Sequence, residues 1–271
     1  MSQKLTYSDY LAHNQLPLMW CAGCGNGVIL RVLAEALAEL NIPPHKVVVT
    51  TGIGCFGKTD DYMKTHACHG THGRALAFAT GIKLANPELT VLALMGDGDA
   101  TTIGGNHFIN TARRNVDITA IVANNYNYGM TGGQYSSTTP IRKVTTTSPY
   151  GTAEPGFDIC ELAKAAGANY VARSTTYHVV QMQKLIMEAI TKKGFSLVEV
   201  SSPCPTYFGR YNGMPSAVNM LNWLKEVSVS PGKYQTLSEE EKENVMVIGK
   251  LVDRDKPDYL SVYKELTATV K

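Results

Sequence analysis

Between Gly27 and Ser201, short β-branched runs that end in glycine or amide clusters alternate with segments of helical period. This alternation restricts the fold more than any other feature of the chain. Residues 27–40 place Val28, Leu30, Leu33, Ala36, Leu37 and Leu40 at helical spacing, which predicts an amphipathic helix. Residues 46–51 (KVVVTT) read as a strand that runs into the turn Gly52-Ile53-Gly54-Cys55. The pattern then repeats with a helix near 73–85, a strand over 90–95, a helix near 105–114 and a strand over 118–124. Strands over 170–173 and 196–201 flank a helix near 177–192.

Buried strands alternating with helices require both faces of a sheet to be covered, because the strands are apolar on both sides. The expected fold is therefore α/β, a doubly wound, mainly parallel sheet, with ligands at the carboxyl ends of its strands. Residues 1–210 are expected to form this domain. Residues 211–271, with aromatics, Pro and Gly followed by charged helices, read as a C-terminal arm or helical tail that contacts a partner. The stretch from Tyr128 to Pro155 lacks periodicity and is rich in Thr, Ser and Gly, as long functional or mobile loops are.

Composition removes several classes. With 44% hydrophobic and 18% charged residues over 271 positions, the chain is neither disordered nor collagen-like nor a coiled coil. Its 25 basic and 23 acidic residues form no basic run, which argues against nucleic acid as a partner. No apolar stretch approaches the roughly 18 residues of a membrane helix, and the first residues have no apolar core of a signal peptide, so a cytoplasmic location is expected. Six cysteines in a reducing compartment point to metal ligands or buried thiols before disulfides.

Chemistry concentrates at the strand ends. Met95-Gly96-Asp97-Gly98-Asp99-Ala100 follows one strand, and Asn124-Asn125-Tyr126-Asn127-Tyr128-Gly129 follows the next. A carboxylate, an amide oxygen and a backbone carbonyl are hard ligands of the kind Mg²⁺ accepts beside diphosphate oxygens. Glycines there let backbone N–H groups approach phosphate. GDG followed just under thirty residues later by NN resembles the thiamine diphosphate-binding motif. By that match, the Asp97 and Asn125 side chains and the Asn127 carbonyl would hold Mg²⁺. Gly98 and Asp99 would lie along the diphosphate, with Gly129 and Met130 beside the cofactor.

Cys21 and Cys24 form a CxxC just before a helix, in WCAGCGNG, a pattern that alone admits zinc, an iron-sulfur cluster or a redox disulfide. Cys55 in GIGC and Cys204 in SPCPT follow strands and so share the sheet edge expected for the phosphate site. Four thiolates near an oxidisable cofactor favour an electron carrier. Cys68 and Cys160 fall within or beside expected helices and read as ordinary buried thiols.

Taken together, WCAGCGNG, GIGC, THGRA, GDGDA, NNYNYGMTGGQ and SPCPT resemble the β subunit of 2-oxoacid:ferredoxin oxidoreductases, over roughly residues 17–210. The resemblance implies one 4Fe-4S cluster on Cys21, Cys24, Cys55 and Cys204, and cofactor contacts from Ile53, Gly54, Cys55, Phe56 and His72. Lys58, three residues past Cys55, is a candidate for holding a substrate carboxylate, and His72 a candidate for substrate or phosphate contact. The implied reaction is oxidative decarboxylation of a 2-oxoacid to its acyl-coenzyme A, with electrons passed to ferredoxin, or the reverse as carbon dioxide fixation. The Thr131-Gly132-Gly133-Gln134 stretch followed by SSTTP looks most like the 2-oxoglutarate enzymes; a pyruvate enzyme and a non-redox thiamine decarboxylase half are the alternatives. The resemblance further implies that an α subunit supplies the aminopyrimidine side of the site, in an αβ or (αβ)₂ assembly.

Overall fold

The computed structural model describes residues 4–270. Seven strands form the main sheet: β1 (Val47–Thr51), β2 (His66–His69), β3 (Thr90–Gly96), β4 (Thr119–Asn124), β5 (Tyr170–Thr175), β6 (Ser196–Ser201) and β9 (Gly249–Asp253). A separate pair, β7 (Ser228–Val229) and β8 (Met246–Val247), lies outside it. The order in the sheet is β2-β1-β3-β4-β6-β5-β9, parallel throughout except for β9, which runs antiparallel to β5.

The period of two along each strand feeds two cores. On β3, Leu92 and Leu94 join the core beneath α1 (Asn26–Glu39) and α5 (Val179–Thr191). Val91, Ala93 and Met95 join the opposite core, beneath α2 (Ala75–Ala85), α3 (Gly105–Arg113) and α4 (Ile159–Ala166). On β4, Ile121 and Ala123 divide from Ala120 and Val122 in the same way. Each Val or Leu so removed from water contributes roughly 1.5–3 kcal/mol, which is why these strands are apolar end to end. The expected doubly wound α/β sheet is the fold observed.

Two elements depart from expectation. Residues 66–69, HACH, add the edge strand β2 in register with β1, so Cys68 sits half-buried on a strand and not in a helix. Edge strands need no apolar alternation, because one flank faces solvent. The C-terminal segment is also more than an arm: β9 closes the opposite edge of the sheet, with Val252 buried in a core. Five residues paired to a single neighbour leave too short a pattern to recognise. Among the described residues, no helix is long and apolar enough to cross a membrane.

Candidate active site

β3 and β4 are neighbours in parallel register, Gly96 opposite Ala123, so their ends deliver Asp97 and the Asn124–Asn127 turn to the same level. Asp97 is buried, and its Oδ2 accepts from Ser136 Oγ at 2.5 Å and Thr138 Oγ1 at 2.7 Å. Its Oδ1 has a single long donor, Asn125 N at 3.4 Å. Burial pushes the Asp97 carboxyl up from its usual range, against the lowering effect of the two hydroxyls. A cation at Oδ1 would stabilise the charge that burial penalises. Asn125 Oδ1 accepts from Asn127 N at 3.3 Å, and both polar atoms of the buried Asn127 side chain lack a partner among the described residues. A buried carboxylate, an amide and unpaired polar atoms facing one cleft are a donor set that fits Mg²⁺ and a diphosphate.

The cleft is lined by Ile53, Gly54, Cys55, Phe56, His72, Asp97, Gly98, Asp99, Asn125, Asn127, Gly129 and Met130, together with Gly96, Ala123, Tyr128 and Thr131. Every cofactor-contact residue expected from sequence is thus on one wall or another. Asp99 lines the cleft, and its Oδ1 receives Gly73 N at 2.6 Å and Ile53 N at 3.3 Å. His72 Nδ1 lies 2.5 Å from the same oxygen. Since Asp99 Oδ1 already accepts from two backbone N–H groups, the carboxylate is the acceptor and His72 Nδ1 carries the proton, which leaves Nε2 as the free ring nitrogen. Asp99 therefore clamps the loops after β1 and β2 to the end of β3. Gly52 permits this, as a Cβ there would stand 2.1 Å from Asp99 Oδ2.

Lys58 is not brought to the cleft. The tight helical turn Phe56–Tyr62 swings its ammonium onto Asp61 Oδ2 at 2.5 Å, and it lines neither this cavity nor the next. Conversely, Ser136 and Thr138 of the SSTTP run seat Asp97, a role that the sequence reading does not assign to them. They lie in the aperiodic loop after Tyr128, and the run Ser136-Ser137-Thr138-Thr139 was the signal available.

A second cavity is lined by Met19, Trp20, Cys21, Cys24, Cys55, Asn125, Gly129, Met130, Cys204, Pro205, Thr206 and Tyr207. All four cysteines expected as ligands meet here as free thiols. The CxxC turn closes through Cys24 N donating to Cys21 O at 3.0 Å. Gly25 then packs so closely on the segments after β6 and β5 that a Cβ would lie 2.7 Å from Pro203 Cδ and 2.9 Å from Thr176 Cγ2, respectively. That approach brings Cys24 to Cys204. Trp20 Nε1 donates to Cys55 O at 2.6 Å and ties the third cysteine to the same wall. Burial pushes the Cys24 thiol up to about 12 and Cys55 up to about 11, with the neighbouring cysteines adding to both. Four thiols on one cavity, Cys21 exposed and the other three half-buried, fit a multi-iron centre, where positive iron would offset the burial and repulsion that push Cys24 and Cys55 up.

Among the described residues, the one set of three or more His, Cys, Asp or Glu with ligand atoms all within 4.8 Å is Asp158, Cys160 and Glu199. No three sulfurs of the quartet all lie within 4.8 Å of one another, whereas tetrahedral Zn–S bonds of about 2.3 Å place sulfurs roughly 3.8 Å apart. Cys160 is buried in α4, as an ordinary thiol.

Known proteins match this architecture. The family model for the thiamine pyrophosphate enzyme C-terminal TPP binding domain matches residues 36–200. The chain is 46% identical over 262 residues to 2-oxoglutarate synthase subunit KorB of Methanocaldococcus jannaschii, covering 97% of each chain. It is 55% identical over 204 residues to the KorB subunit of Archaeoglobus fulgidus, covering 75% of this chain and 76% of that one. A solved 2-oxoglutarate:ferredoxin oxidoreductase from Magnetococcus marinus, with 2-oxoglutarate, coenzyme A and succinyl-CoA bound, superposes with a TM-score of 0.87 at 29% identity over 98% of this chain and 92% of that one. By sequence, by fold and by the convergence of both constellations on one sheet edge, the chain belongs to the β subunits of the 2-oxoacid:ferredoxin oxidoreductases, within the thiamine pyrophosphate enzymes.

Proposed function

We propose that this chain is the β subunit of a cytoplasmic 2-oxoglutarate:ferredoxin oxidoreductase, forming succinyl-CoA together with an α subunit in an αβ or (αβ)₂ assembly. Asp97, Asn125 and the Asn127 carbonyl would hold Mg²⁺ and, through it, the diphosphate of thiamine diphosphate. Cys21, Cys24, Cys55 and Cys204 would hold one 4Fe-4S cluster. When bound, thiamine diphosphate supplies an electron sink for loss of carbon dioxide, and the cluster supplies one-electron transfer toward ferredoxin.

The observation that carries this reading is that the two cavities share a wall. Cys55, Asn125, Gly129 and Met130 line both. The turn after β4 thus presents the Asn125 amide at the shared wall, where Cys55 presents a thiol. The chain's own residues do the positioning. Ser136 and Thr138 hold the Asp97 carboxylate, Asp99 fixes the His72 tautomer, and His72 Nε2 is left to accept a hydrogen bond from a donor on substrate or cofactor. Phe56 and Met130 add apolar surface to the first cavity, Met130 on the shared wall.

The test is anaerobic purification of the chain with its partner, followed by measurement of iron, sulfide, zinc and thiamine diphosphate. About four irons and one thiamine diphosphate per chain are expected, with 2-oxoglutarate- and coenzyme A-dependent reduction of ferredoxin. Zinc in place of iron, with product formed without an electron acceptor, would overturn the electron-transfer reading. Preference for pyruvate would overturn the substrate alone.

A further inference from the structure

Behind the cleft, a file of buried polar groups runs through the sheet to the turn that carries Asn125 and Asn127. Arg173 on β5 and Glu199 on β6 are opposite one another in the parallel ladder, and both are buried. Arg173 Nε donates to Glu199 Oε2 at 2.8 Å, and the far end of its guanidinium reaches Asp158 Oδ1 at 2.5 Å. The Cys160 thiol also donates to Glu199 Oε2, at 3.2 Å. Glu199 Oε1 accepts from Asn124 Nδ2 at 2.8 Å.

That last bond decides which way the Asn124 amide points. With Nδ2 turned to the carboxylate, Oδ1 faces the turn and accepts from Tyr126 N at 3.2 Å. Tyr126 has φ 63°, the left-handed region that a bulky side chain occupies only when its surroundings hold it there. Tyr126 is the hinge between the two asparagines expected to face the cation, so its conformation sets where both point. Thr138 Oγ1 lies 3.1 Å from Asn124 Oδ1 and 2.7 Å from Asp97 Oδ2, and its single proton goes to the charged acceptor. Asn124 therefore adjoins the turn on one side and the seat of Asp97 on the other.

A buried ion pair in a strand interior is seldom a net source of stability compared with apolar side chains of similar volume. β5 and β6 carry Val and Ala at neighbouring positions, so an apolar pair would pack here. What Arg173 and Glu199 supply is direction, through a fixed anionic oxygen that admits only one orientation of Asn124.

We propose that Glu199, held in place by Arg173, is a positioning residue for the divalent cation site: it orients Asn124, which keeps Tyr126 left-handed and so aims Asn125 and Asn127 into the cleft. The proposal rests on the reading of that cleft as a Mg²⁺–thiamine diphosphate site. In Glu199→Gln the new amide can offer N–H to Asn124, the anionic anchor is lost, and the Asn124 amide is free to turn over. Asn124→Ala removes the same link while leaving the Arg173–Glu199 pair intact.

The αβ complex, stripped of Mg²⁺ and thiamine diphosphate, is titrated with Mg²⁺ at saturating thiamine diphosphate and binding is followed by calorimetry. Loss of a supporting partner of a metal ligand costs about 10–100-fold in metal affinity. The half-saturating Mg²⁺ concentration should rise by about tenfold in both variants, and kcat at saturating Mg²⁺ should fall by much less. A purely structural role would lower kcat and the melting temperature without moving the Mg²⁺ midpoint, and that result overturns the proposal. Wild-type Mg²⁺ dependence in both variants overturns it too, with the cleft reading intact. If the wild-type complex itself binds thiamine diphosphate without Mg²⁺, the cleft reading falls and takes this proposal with it. Should Glu199→Gln fail to assemble, the Asn124→Ala titration decides alone.

Discussion

Gly25→Ala tests whether backbone contact, and not the cysteines alone, builds the proposed cluster site. Gly25 has φ −72°, so alanine carries no backbone strain there and the effect is purely steric. The new Cβ would meet Ser202 Oγ at 2.3 Å, Pro203 Cδ at 2.7 Å and Thr176 Cγ2 at 2.9 Å. The serine hydroxyl can rotate away; the proline ring and the β-branched threonine cannot. Restoring ordinary contact of 3.4 Å to Pro203 Cδ needs a shift of about 0.7 Å between the CxxC turn and the segment carrying Cys204. Overpacking of this kind costs about 1–3 kcal/mol, while metal–ligand distances tolerate only about 0.2 Å. The expected result is a protein that folds with a modestly lowered Tm but loads markedly less iron and sulfide, read from metal content and visible absorbance after anaerobic reconstitution. Thiamine diphosphate binding should survive, because the Asp97 cleft lies beyond the shared wall. Full iron content with an unchanged Tm would refute the claim that this close approach joins Cys24 to Cys204.

Three further outcomes follow from the geometry. Asp97→Ala should weaken Mg²⁺-dependent thiamine diphosphate binding by more than the roughly 10–100-fold cost of losing an outer partner, measured by calorimetry; retained affinity would remove Asp97 from the cation site. Cys204→Ser should lower the iron content and bleach cluster absorbance while leaving thiamine diphosphate stoichiometry near that of the wild type. Burial first, then the nearby Glu199, pushes the Tyr126 phenol up to about 12, above its ordinary value of about 10. The folded state therefore favours the neutral phenol. Its contribution to stability is complete below pH 10 and is lost as pH rises toward 12. Denaturation midpoints across that window should decline less steeply in Tyr126→Phe than in wild type.

Much of the site was legible because its chemistry sits at strand ends, and strand ends are marked locally. Gly96-Asp97-Gly98 and Asn124-Asn125 each interrupt an apolar run, and adjacency of β3 and β4 then brings them level. The four cysteines were legible for the same reason, since each lies in a glycine- or proline-marked turn. Lys58 misled because proximity in sequence to Cys55 says nothing of direction within a tight helical turn, where Asp61 at i+3 captures the ammonium. That Ser136 and Thr138 of the SSTTP run seat Asp97 is not legible in sequence, because an aperiodic loop has no pattern from which to infer what it touches.

The order of apolar runs and helical segments determined a two-faced parallel sheet by itself, because alternating side chains on a strand must enter two cores. Residue type likewise determined that carboxylate and amide oxygens and cysteine thiols would gather at one edge. Only the tertiary structure decided that Cys55, Asn125, Gly129 and Met130 would form one wall between two cavities, and that a charge pair on β5 and β6 would set the amide of Asn124. These features join residues dozens of positions apart through single hydrogen bonds and close contacts. Such contacts arise from packing at a particular register, and a local sequence pattern carries no record of them.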